Sequence, residues 1–167
     1  MKEKAIGFRV TPSEIFYSIV VNQKDEYEFI SISSLKIPVA IDEPKKLSFI
    51  RNTVSTILLQ YNIDYAGIKL TEGNARSGVK NNSIFRHNVE GVLKELLSNS
   101  VTKNCVLGLS TNIAAILNIQ KGKPAEMLDS ILDTANLKTD VEKKISIGHK
   151  EAILVALAAL EDGMKNE

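Results

Sequence analysis

Nine successive apolar residues, from Ala152 to Leu160, run without a glycine, a proline or a charge near the end of this chain. In a helix these side chains would surround the axis, and a helix apolar on every side has no face to offer water. A helix over about residues 148–164 must therefore be enclosed, against a sheet or between other elements. The rest of the chain has to supply that cover.

It does so in a recognisable order. Residues 4–10 read as a first strand, Ala5-Ile6-Gly7-Phe8-Arg9-Val10 at its heart. Residues 15–21 are β-branched and aromatic and read as a second strand. Asn22-Gln23-Lys24-Asp25 reads as a turn. Residues 27–37 form a third strand, with Phe29, Ser31 and Ser33 alternating against Ile30, Ile32 and Ser34 at the period of a half-buried strand. Pro44, after Asp42 and Glu43, suits the first turn of a helix, where its missing N–H is harmless. Leu47, Ile50, Val54, Ile57, Leu58 and Tyr61 follow at helical spacing, and Asn62-Ile63-Asp64 ends the run. A fourth strand over 65–70, a polar stretch over 71–83, a second helix carrying Phe85, Val89, Val92, Leu93, Leu96 and Leu97, and a fifth strand over 104–109 come next. Short helices over 112–118 and 125–136 precede the apolar one. The order β-β-β-α-β-α-β-α-α predicts an α/β fold. Its five-stranded mixed sheet would be a three-strand antiparallel meander continued by βαβ units, with helices on both faces.

A chain of 167 residues fits one domain spanning 1–167. It has no apolar run of about 18 residues, so no membrane span is expected. Met1-Lys2-Glu3-Lys4 leads straight into a strand without a signal-type apolar region, and the expected location is cytoplasmic. The single cysteine, Cys105, cannot form an internal disulfide and fits buried packing in an apolar strand. A net charge of +1 lacks the basic excess of proteins that hold DNA or RNA unaided. Contact with nucleic acid would have to be local or shared with a partner.

This order, with its local wording, resembles the RNase H-like superfamily and within it the RuvC-type Holliday-junction resolvases. The resemblance rests on three stretches. They are Gly7-Phe8-Arg9-Val10 through Val20, Leu70-Thr71-Glu72 with Asn82 to Val92, and Lys121-Gly122-Lys123-Pro124-Ala125 through Leu132 with His149 to Leu157. It implies a two-metal nuclease site in which clustered carboxylates hold Mg²⁺ or Mn²⁺ and activate water on a phosphodiester. Carried over by position, the first-strand ligand falls on Arg9 and the second on or near Glu72. The last helix has Gly148 where one acid is expected and Glu151 where the other is. Two of the four carboxylates are missing. A guanidinium is always charged, so Arg9 is expected to replace the cation and to bridge Glu72 and Glu151.

Glu72, Glu151 and His149 are therefore vestigial catalytic candidates. Each has a plainer reading: a solvated strand-end acid, an acid favoured by a helix N-terminus, and a partly exposed capping residue. His87 reads as surface, and Glu14 as too far along the turn to stand in for the lost acid. Arg9, Lys69, Arg76, Lys80 and Arg86, with a Gly-Asn-Ser-rich loop among them, are the candidates for phosphate contact. Phe16, Tyr17, Tyr27 and Phe29 are expected to pack in the sheet. The sequence thus points to a catalytically inactive RuvC-like protein. It would act by binding a partner protein, itself as a homodimer, or nucleic acid (DNA or RNA), with no cofactor. The alternative is an Mg²⁺- or Mn²⁺-dependent endonuclease with ligands drawn from Glu72, Glu151, His149 and Asp64 or Asp140. A nucleotide-binding relative of the actin type is disfavoured, because Thr11-Pro12-Ser13 is not a glycine-rich phosphate turn.

Overall fold

The first strand is the hinge of the architecture, because it pairs antiparallel on one side and parallel on the other. The structure is a computed structural model describing residues 2–23, 26–73, 81–100, 102–133 and 145–166. The elements are β1 (Lys4–Val10), β2 (Glu14–Gln23), β3 (Glu26–Lys36), α1 (Glu43–Tyr61), β4 (Tyr65–Lys69), α2 (Asn81–Ser98), β5 (Asn104–Gly108), α3 (Ser110–Ile116), α4 (Pro124–Asp129) and α5 (Ile147–Lys165). The sheet runs β3-β2-β1-β4-β5. β1, β2 and β3 form the antiparallel meander, and β4 and β5 continue it in parallel. This is the RNase H-like α/β topology.

Two cores sandwich the sheet. Ile6, Phe8, Ile19, Ala66 and Ile68 meet α1 and α2 on one face. Ala5, Val20, Ile32, Tyr65 and Val106 meet α3, α4 and α5 on the other. Every residue from Ala152 to Leu160 is buried, as a helix apolar on all sides requires. Among the described residues no helix is long and apolar enough to cross a membrane.

Local signals set most boundaries. Asp42 caps α1 by accepting a hydrogen bond from the Lys45 N–H at 3.2 Å, and Asn62 closes it in the left-handed conformation at φ 51°. β2 outruns its predicted ends because Glu14 pairs with Lys36, Asn22 with Tyr27 and Gln23 with Glu26. The expected turn at 22–25 therefore begins only after Gln23, and residues 24 and 25 lie outside the described part. α4 is six residues rather than the run over 125–136. The Ser130 hydroxyl turns back onto the Met127 carbonyl at 2.6 Å at its end, and residues 134–136 lie outside the described part.

The expected alternation of β3 fails at one place. Ile19 pairs with Ser31 but Val20 pairs with Phe29, so Ile30 is an inserted residue and β3 carries a bulge. Tyr27 and Phe29 pack toward α5 before it, and Ile32 does so after it. Ile30, expected to share a face with Ile32, is instead 36% exposed while Ile32 is fully buried.

α5 lies unusually close to the sheet. Gly7 and Gly67 are register partners on β1 and β4. A Cβ on Gly7 would sit 2.1 Å from the Ala152 carbonyl oxygen, and one on Gly67 2.6 Å from that of Val155. The helix backbone therefore rests directly on two strands. That contact holds the first turn of α5 over the C-terminal end of β1.

Candidate functional site

Strand register lays Phe16, Arg9, Lys69 and Gly108 in one row across β2, β1, β4 and β5. Arg9, Lys69 and Phe16 project to the α5 side, alternating with core residues of the opposite face. Glu72 follows the end of β4, Ser110 follows β5, and Glu151 comes from the first turns of α5. These are the places expected of the family's acids, and the cluster found there is built differently.

The Arg9 guanidinium stands 2.8 Å, Nε to Oε2, from Glu151, with both side chains largely buried. Its Nη1 donates to the carbonyls of Leu70 at 3.2 Å and Lys69 at 3.4 Å. Arg9 thus ties β1 to α5 and to the end of β4. The expected bridge to Glu72 is not formed, and this corrects the sequence reading. Glu72 is engaged elsewhere: its Oε1 accepts hydrogen bonds from the Ser110 hydroxyl at 2.6 Å, the Ser110 N–H at 2.9 Å and the Lys69 ammonium at 3.1 Å. The Ser110 bonds first, and then Lys69, hold the Glu72 carboxyl well below the usual range, at about 2. Lys69 is only 4% exposed and also donates to the Leu70 carbonyl at 3.0 Å.

A third carboxylate joins the cluster, one that sequence reasoning missed. Glu90 on α2 is 2% exposed, and its Oε1 accepts from the Thr71 N–H at 2.8 Å and the Thr71 hydroxyl at 2.7 Å. The available signal was its place on the apolar stripe of α2, between Val89 and Leu93. Arg86, one turn earlier on α2, has its pKa lowered by burial first and by Arg9 second, against the opposing pull of Glu90 and Glu151. Its buried Nε has no hydrogen-bond partner among the described residues. His87 is exposed and sits 3.5 Å from the Glu90 carboxylate.

His149 is a capping residue, and it is buried rather than partly exposed. Its Nδ1 accepts from the Ser146 N–H at 3.2 Å and lies 2.8 Å from the Ser146 hydroxyl, closing a capping box at the start of α5. Its Nε2 is buried without a partner among the described residues. Burial lowers its pKa, with Glu14 acting in the other direction. The Phe16 ring meets the imidazole edge to face at 4.7 Å. The same ring fills the space beside Gly148: a Cβ there would lie 2.3 Å from Phe16 Cδ2.

Asp64 accepts from the Lys4 N–H at 2.9 Å at the start of β1, at the other end of the strand from Arg9. Arg76, Lys80 and Asp140 lie outside the described residues. Burial pushes the Cys105 thiol up to about 11, in keeping with packing rather than reactivity.

The donor set does not fit a pair of divalent cations. Arg9, Lys69 and Arg86 face Glu72, Glu90 and Glu151, three positive groups against three negative ones. Each carboxylate already accepts hydrogen bonds or an ion pair from the protein. Among the described residues no three His, Cys, Asp or Glu side chains come together to hold a metal ion.

No protein-family model matches the sequence, and no curated protein matches it. Solved structures do match by shape. T. thermophilus RuvC in complex with Holliday junction substrate aligns with a TM-score of 0.72 at 10% identity, covering 97% of this chain and 96% of that one. A second structure of Thermus thermophilus RuvC gives 0.71 at 10% identity over 98% and 96%. The yeast mitochondrial Holliday junction resolvase gives 0.65 at 12% identity over 98% and 81%. The likeness is one of fold: this chain shares the RNase H-like α/β architecture of these structures.

Proposed function

We propose that this chain is a catalytically inactive RuvC-like protein whose role is binding: of a partner protein or a second copy of itself first, and of nucleic acid second. The observation that carries the reading is the 2.8 Å pair between Arg9 and Glu151. Two-metal hydrolysis needs convergent carboxylates free to take cations. A permanently charged guanidinium in their midst repels the metal and consumes the ligand.

Two further features support binding over an altered-ligand nuclease. Glu72 is committed to Ser110 and Lys69, and the His149 Nδ1 is committed to Ser146. The net charge of +1 and the internal pairing of Arg9 and Lys69 leave little cationic surface here for phosphates, which favours a protein partner. Arg86 and, from the sequence, Arg76 and Lys80 are the remaining candidates for nucleic-acid contact.

The test is incubation of the purified protein with labelled four-way-junction, single-stranded and duplex DNA and with RNA, in Mg²⁺ and in Mn²⁺. Sedimentation and fluorescence anisotropy run alongside. Intact substrate in every lane is expected. Metal-dependent cleavage that Glu151→Gln abolishes would overturn the reading.

A further inference from the structure

We infer that Phe16 is the second half of the device that closes this site to a divalent cation, Arg9 being the first; the inference rests on the inactive reading above. Arg9 and Phe16 are cross-strand partners on β1 and β2, so their side chains leave the same face side by side. Residues 148 and 151 are three apart on α5 and likewise share a face. The two pairs meet. Arg9 takes the carboxylate of Glu151, and Phe16 takes the space of a side chain at 148.

The fit at 148 is close. Three ring atoms of Phe16 lie 2.3, 2.4 and 2.8 Å from where a Cβ on Gly148 would be, well inside contact distance. The ring cannot swing away freely, since it is 9% exposed and packs edge to face on His149. A carboxylate at 148 is therefore excluded by volume while one at 9 is replaced by charge. Arg9→Asp alone would place one new carboxylate next to that of Glu151, beside an aromatic ring. That is too few oxygen ligands for Mg²⁺ or Mn²⁺.

The experiment is calorimetric titration of Mn²⁺ into four full-length proteins: wild type, Arg9→Asp, Arg9→Asp with Gly148→Asp, and the triple variant that adds Phe16→Ala. Only the triple variant is expected to bind, about tenfold or more tighter than any protein that keeps the ring. Binding by Arg9→Asp equal to that of the triple variant would remove Phe16 from the device, and so would a folded triple variant that takes no Mn²⁺. If the triple variant does not fold, a double-mutant cycle decides the same question. Gly148→Ala should lower Tm in wild type and should not lower it in a Phe16→Ala background. Equal changes in both backgrounds would overturn the inference. Cleavage of a four-way junction by wild type would instead sink the inactive reading, so the two failures are told apart.

Discussion

Glu90 Oε1 accepts two hydrogen bonds from Thr71, one from its N–H at 2.8 Å and one from its hydroxyl at 2.7 Å. A buried acid on α2 thereby fixes the chain as it leaves β4, just ahead of Glu72. Glu90→Ala should cost about 2–3 kcal/mol, the range for hydrogen bonds to a charged group plus the stranded Thr71 donors. Glu90→Gln keeps an acceptor and should cost less than half as much. Urea unfolding of the two variants checks the order.

Arg9→Ala would leave Glu151 largely buried without its cation. The expected loss is about 3 kcal/mol. Arg9→Met combined with Glu151→Leu should recover most of it, because removing both charges also removes their desolvation cost. Arg9→Lys should fall between, since an ammonium cannot reach Glu151 and the Leu70 carbonyl with the same fork. Denaturant midpoints of the four proteins test this order, and equal midpoints for Arg9→Ala and the double variant would contradict it.

Acid should weaken the protein in two windows. The Glu72 carboxyl is held low in the folded state, at about 2 against an ordinary 4.5. Its contribution is present above pH 4.5 and is lost as pH falls from there toward 2. His149 is also held below its ordinary value, so the unfolded chain binds its proton first and stability falls as pH drops below about 6.5. Unfolding midpoints measured from pH 7 to pH 2 should show both declines. Ser110→Ala should reduce the lower one and leave the upper one in place, and His149→Gln should do the reverse.

The bulge in β3 separates two isoleucines that a regular strand would treat alike. Ile32→Ala should cost about 2–4 kcal/mol, as a large-to-small change in a filled core. Ile30→Ala, at the surface, should stay within about 1 kcal/mol. Matched losses at the two positions would mean the strand runs without the insertion.

Elements whose causes are local are legible in the sequence. Asp42-Glu43-Pro44 announces α1, Asn62 ends it, and the apolar run after Glu151 announces an enclosed helix. What depends on a neighbour is not legible. The bulge at Ile30 arises from how β3 registers on β2, and no residue within β3 signals it. The meeting of Arg9 with Glu151 follows from strand and helix order. The separation of Arg9 from Glu72 does not, because Ser110 arrives on a later segment, beyond the edge strand of the sheet. Phe16 reads as a sheet aromatic, and its fit against Gly148 depends on where α5 comes to rest.

That resting place has a consequence for the order of events during synthesis. α5 follows all five strands in sequence and touches every one of them. Until residues 147–165 have been made, the sheet face of Ala5, Val20, Ile32 and Tyr65 has only α3 and α4 to cover it. The nascent chain therefore carries a partly uncovered apolar surface from the completion of β5 until α5 is made. Pairings this distant in sequence form slowly and expose a chain to aggregation. A ribosome stalled before α5 would hold a chain exposed to aggregation, and the arrival of residues 147–165 would be the step that covers this face.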